Sequence, residues 1–165
     1  MSGLFGSSSA ILSECGIYRY VLTRRWDWYL PTCHFVMLNP STADHDKDDP
    51  TIRRCRNFAS AFGYGAFEVR NLFAFRSVSP DQLRLARDPV GPENDAHLSS
   101  LYHTAPVIAA WGDEVNSRVK QRADIVRKLF KEKGLLLQCL GVTVNGCPRH
   151  PLYVQKDRLL VPYTY

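Results

Sequence analysis

Short apolar runs and helix-spaced apolar positions alternate along most of the chain. Residues 17–22 (Ile-Tyr-Arg-Tyr-Val-Leu) have strand character, and residues 32–38 are expected to pair with them across the 24–31 connection. Asp49 before Pro50 forms a helix start, the aspartate as N-cap and the proline at the first helical position. Ile52, Cys55, Phe58, Ala59 and Phe62 then recur at helical spacing, and Gly63 and Gly65 end the run. Residues 66–75 read as a strand that carries Asn71. Ser79-Pro80 starts a short helix, and Gly91-Pro92 starts another that extends to about His103. Residues 106–110 form a short apolar strand leading into Trp111-Gly112. Asp113 is expected to cap the longest helix, with Val115, Val119, Val126 and Phe130 on its apolar side and Gly134 as terminator. Residues 135–140 are the last core strand.

Alternation of this kind predicts an α/β protein, a three-layer α/β/α sandwich with a mostly parallel central sheet. Crossovers of one hand gather the strand C-termini on one edge. That edge then carries Asn39, Asn71, Trp111 and His150.

The 165 residues suit one domain, expected over 11–165, behind a Ser/Gly-rich flexible tail at 1–10. No apolar run approaches the roughly 20 residues of a membrane helix, so no membrane association is expected. The start lacks the basic and apolar regions of a signal peptide, which favours a cytoplasmic protein. Five cysteines at scattered positions, with no Cys-x-x-Cys, indicate neither a disulfide framework nor a zinc ribbon. No P-loop, dinucleotide fingerprint or nucleophile elbow is present, so no cofactor is expected. The formal charge of +5 permits a nucleic-acid partner without requiring one. Arg53 and Arg54, beside Arg56, the group Arg19, Arg24 and Arg25, and Arg149 beside His150 are candidate phosphate contacts, with solvated faces as the alternative.

Two loops carry unusual chemistry. Asn39-Pro40-Ser41 closes the 32–38 strand, and Arg149-His150-Pro151 follows the last one. Proline holds the preceding residue extended, at the strand edge where an α/β protein places its ligand. Asn71 offers both a donor and an acceptor, suited to a base edge, and a neutral His150 can donate to a developing anion. The bland alternatives are an Asx turn for Asn39, a satisfied strand end for Asn71 and a structural loop donor for His150. Asp44, His45, Asp46, Asp48 and Asp49 read as a solvated, capped loop, with a hard-metal or histidine–carboxylate site as the alternative. They lack the glycine and distal glutamate of a calcium loop, and no metal is expected. Asp44 or His45 is also a candidate general base near Asn39.

Four signatures occur in order: Met37-Leu-Asn-Pro-Ser41, Arg70-Asn-Leu-Phe-Ala-Phe-Arg76, Ala109-Ala-Trp-Gly112 and Arg149-His-Pro-Leu152. Their order and spacing resemble the uracil-DNA glycosylase superfamily over roughly residues 34–153. Residues 39–54, 88–98 and 146–153 resemble more closely an uncharacterised bacterial and phage family known only as a domain of unknown function. The glycosylase resemblance implies that Asn39 places an attacking water and that Asn71 reads the base. It implies that His150 stabilises the departing base, and that Leu152 or Tyr153 wedges into the gap it leaves. Pro40, Ser41, Phe73, Trp111 and Arg149 would line the substrate site. Met37 stands where that pattern has a leading glycine, and Leu152 where it has a serine. The expected function is a DNA-acting enzyme on a nucleobase. The alternatives are a non-catalytic module that binds a modified base or nucleotide, and a small-molecule enzyme on the same fold. Oligomeric state is not legible in the sequence.

Overall fold

The computed structural model describes residues 6–102, 106–113 and 116–164. The strands are β1 (Ser7–Leu12), β2 (Arg19–Arg25), β3 (Thr32–Met37), β4 (Ala66–Asn71), β5 (Val107–Ala109), β6 (Leu137–Cys139) and β7 (Val161–Pro162). Between them lie α1 (Pro50–Ala61), α2 (Pro80–Leu85), α3 (Asn94–Ser99) and α4 (Ser117–Glu132). All seven strands join one sheet in the order β1-β2-β4-β3-β5-β6-β7.

The inner strands β4, β3, β5 and β6 are mutually parallel, as alternation with helices requires. The flanking pairs β1–β2, β2–β4 and β6–β7 are antiparallel. The sheet is therefore mixed, which corrects the expectation of a mostly parallel one. Two sequence readings caused the difference. Residues 7–10 were expected in a loose tail, but Ser7–Leu12 pairs along β2. Serines hydrogen-bond through their backbone as well as any residue does, and this edge strand stays largely exposed without an apolar face to betray it. The strand at 17–22 was expected beside residues 32–38. Instead β3 has both edges occupied by β4 and β5, so β2 pairs with β4 on its far side. Residues 1–5, His103 and Val115 lie outside the described residues.

The helix α1 forms as its cap predicts: Asp49 accepts the Ile52 N–H at 2.9 Å, and Pro50 opens the helix. Its stripe of Ile52, Cys55, Phe58 and Ala59 packs on one side of the sheet, against Cys33, Phe35, Met37 and Phe67. Val119, Ala123, Val126 and Phe130 of α4 pack on Val36, Val107, Ala109 and Leu137 in a second cluster. Each fully buried large apolar side chain here contributes about 1.5–3 kcal/mol. The cap of α4 is Asn116, whose side chain accepts the Val119 N–H, and not Asp113. Asp113 instead accepts both bonds from Asn145 Nδ2, at 2.9 and 3.1 Å. No helix among the described residues is long and apolar enough to cross a membrane.

The chain order decides where a ligand can sit. From the central β3 the chain moves outward to β4, then returns past β3 to β5 and on to β6. The winding reverses between β3 and β5. In open α/β sheets the crevice beyond such a reversal, at the strand C-termini, is the usual binding place.

Candidate functional site

A cavity of about 210 Å³ opens at that point. Leu38 and Asn39 reach it from the end of β3, Asn71 from the end of β4, Trp111 from just beyond β5, and His150 from the loop after β6. Ser41 lines it as well. Its volume lies below the 300–1,000 Å³ common for drug-sized ligands and suits one planar ring system.

Asn71 is 1% exposed, and its Nδ2 is buried without a hydrogen-bond partner among the described residues. Leaving a buried amide donor unpaired costs about 1–3 kcal/mol, so this side chain is not a satisfied strand end. Asn39 is more constrained. Its Nδ2 donates to Ser77 Oγ at 2.9 Å, Pro40 O at 3.0 Å and Ser77 O at 3.2 Å. These bonds tie the two loops together and fix the amide, whose Oδ1 meets no donor among the described residues.

His150 caps the short 3-10 turn Pro151–Tyr153, its Nδ1 accepting the Leu152 N–H at 3.2 Å. With Nδ1 an acceptor, the neutral ring carries its proton on Nε2. Burial pushes its pKa below the ordinary 6.5, and the Asp49 carboxylate opposes this only in part. Two contacts hold the loop. Arg54 donates from Nε to Pro151 O at 3.2 Å and from Nη2 to Val154 O, clamping the turn onto α1. Gly112 sits at φ +83°, and a Cβ there would lie 3.3 Å from His150 Cβ. Any other residue would be strained at this φ and would press on the histidine.

The lowered pKa has a consequence for stability. On acidification the unfolded chain takes up the His150 proton before the folded chain does. The contribution of the neutral ring is therefore complete above pH 6.5 and is lost as pH falls through the folded value. Urea midpoints measured at about pH 7.5 and about pH 5 should fall further for wild type than for His150→Ala. Equal falls would show that the ring is not held neutral.

Two lining residues stand outside the set expected to form the site. Asp49, expected as a helix cap and a member of the acidic loop, borders the cavity and acts electrostatically on both His150 and Arg19. Arg19 opens β2, and its backbone N–H bonds to Ala74 O just beyond β4. Because β2 runs antiparallel to β4, its first residue arrives at the edge where the parallel strands end.

Other expected residues stand elsewhere. Phe73 is 2% exposed and borders a separate small cavity, so it is core. Pro40 is buried outside the cavity wall, its carbonyl accepting from Ser77 N. Arg149 and Tyr153 line an adjoining cleft of about 400 Å³ that shares Leu38, Trp111 and His150 with the first. Leu152 is half-exposed beside it. Arg54 is spent on the His150 loop, and Arg53 donates to Asp48 O at 3.0 Å from an exposed position. Asp44 turns its carboxylate to the Asp46 and Lys47 N–H groups, while His45 is largely exposed. Neither borders the cavity. The donor atoms of Asp44, His45 and Asp46 lie within 4.8 Å of one another on the exposed loop, without a further feature that points to an ion. All five cysteines are free thiols.

Fold and site thus define an α/β protein with a small pocket of mixed polar and apolar lining at the reversal point of its sheet. The chain belongs to the family described as "Protein of unknown function (DUF1643)", whose model matches residues 19–152. That span starts at Arg19 and includes every cavity residue named above. No curated protein and no solved structure matches the chain.

Proposed function

We propose that the protein acts on a nucleobase in DNA, hydrolysing the N-glycosidic bond in the manner of uracil-DNA glycosylases. The observation that carries this reading is the meeting of Asn39, Asn71 and His150 in one cavity, with the histidine neutral and its free proton on Nε2. Glycosidic cleavage places positive charge on the sugar and negative charge on the leaving base. A donor poised for that anion lowers the barrier because the charge grows only in the transition state. The unpaired Nδ2 of Asn71 fits an acceptor on the edge of an extruded base.

The glycosylase resemblance puts the water at Asn39, which cannot take a proton from it. Asp49 supplies the missing carboxylate. Water oxygen bonds to the anomeric carbon, its proton passes to Asp49, and the C–N bond breaks with its electron pair going to the base. His150 Nε2–H stabilises that pair on the base oxygen. The half-exposed Leu152 and exposed Tyr153 beside the adjoining cleft suit the gap left in a base stack, and Arg149 suits a flanking phosphate.

Incubation with duplexes carrying uracil and a range of modified bases, then alkaline strand cleavage and mass spectrometry of the small-molecule fraction, tests the proposal. Free base and alkali-labile sites are expected for at least one duplex. Intact DNA throughout, with a free nucleoside or nucleotide converted instead, would favour a small-molecule enzyme.

A further inference from the structure

Arg19 is the one cavity residue whose charge the proposed chemistry leaves unused. Its side chain is 2% exposed, deep in the wall that Asn71 also forms. A guanidinium carries five N–H donors. Among the described residues Arg19 uses one nitrogen, Nη1, toward the Ala43 carbonyl, while Nε is buried with no partner. No carboxylate among the described residues comes within ion-pair distance of it. Asp49 and Asp44 act on it only through space, and Arg76 and Arg24 act against them. Arg24 differs in having its own anion, Asp48, at 2.8 Å.

Burial is the largest influence on Arg19. It lowers the pKa to about 10, and the attraction of Asp49 does not make up the loss. The group stays cationic at neutral pH. Burying a charge without a direct counter-ion is costly, and a bound anion would offset that cost. One further feature favours an anion there. The Nδ2 of Asn71 is a second buried donor without a partner in the same cavity.

We infer that Arg19 and Asn71 form an oxyanion subsite inside the cavity, taken by a carboxylate or phosphate group of the ligand, with one Nδ2 hydrogen of Asn71 given to the anion and the other to the base edge. This rests on the reading above only in that the rest of the ligand is a nucleobase. A carboxylate on the ring and the phosphate of a free nucleotide are its two sources, and they present the same acceptor oxygens to the guanidinium.

Calorimetric titration of the full chain with matched probes decides. The probes are uracil, uracil-5-carboxylate, uracil-5-carboxamide, deoxyuridine, deoxyuridine 5′-monophosphate and inorganic phosphate. At least one charged probe should bind about tenfold or more tighter than its neutral partner, the scale of a charge-assisted bond. A preference within the carboxylate pair assigns the anion to the base, and one within the nucleoside pair assigns it to a phosphate. Arg19→Gln should abolish the preference. Charged probes that bind no tighter than neutral ones in wild type would overturn the subsite whether or not the variant folds. So would absence of binding by every probe, or a preference that survives Arg19→Gln. Excision and binding are separate readouts: failure to release a base from DNA would leave an anion preference standing, and release of neutral bases without that preference would remove only the subsite.

Discussion

Asp49→Asn should lower turnover by about 10²–10³-fold on any duplex the wild type processes, within the usual range for a lost general base. The substitution is informative because asparagine caps helices about as well as aspartate. Its Oδ1 can still accept the Ile52 N–H, so α1 and the sheet face beneath it stay in place. Thermal midpoint should move little, while the carboxylate that receives the water proton is gone. The variant also carries an internal check. Asp49 is the group that holds the His150 pKa up against burial, so its neutralisation should lower that pKa further. Histidine proton shifts followed by NMR would show this directly. Full activity in Asp49→Asn would remove the carboxylate from the mechanism. Loss of folding would make Asp49 a cap and nothing more.

His150→Ala should reduce turnover by about 10²-fold or more, roughly 2.7 kcal/mol, the scale of a deleted oxyanion donor. Substrate affinity should change little, because the neutral base gains little from that hydrogen bond before its glycosidic bond begins to break. The structural cost is small and separable. Removing the ring leaves the Leu152 N–H without its side-chain acceptor, worth about 0.5–1.5 kcal/mol, while Arg54 still clamps the loop through Pro151 O and Val154 O. Steady-state kinetics with a melting curve distinguish the two roles. A fall in kcat at constant KM is expected. A uniform loss of binding and turnover that follows the loss of stability would leave His150 a structural loop donor.

Asn39, Asn71, Trp111 and His150 were legible as a set because each follows a strand in chain order, and parallel strands deliver their ends to one edge. That inference needs only local signals: an apolar run, then a polar or aromatic residue, followed by proline or glycine at Asn39, Trp111 and His150. Arg19 obeys a different rule. Its place depends on β2 running antiparallel beside β4, a partner choice set by which edges of β3 were already taken. No local pattern encodes that. Asp49 was legible as a cap and hidden as a site residue, since both roles follow from standing at the N-terminus of α1 and only one leaves a mark on the flanking sequence. The cap of α4 failed for a related reason. Asp113 and Asn116 both favour N-caps and lie three residues apart, and only the bonds from Asn145 show which was already engaged. The edge strands β1 and β7 were missed because exposed strands need no apolar alternation.

The central claim is that water attacks a sugar carbon in this cavity and that a base leaves intact. Reaction of the duplex panel in oxygen-18-enriched water, with mass spectra of both products, tests it most directly. The account predicts an unlabelled free base and an abasic sugar carrying a single oxygen-18, with release suppressed in Asp49→Asn and His150→Ala. Label incorporated into the base, or no base released from any substrate, would contradict it.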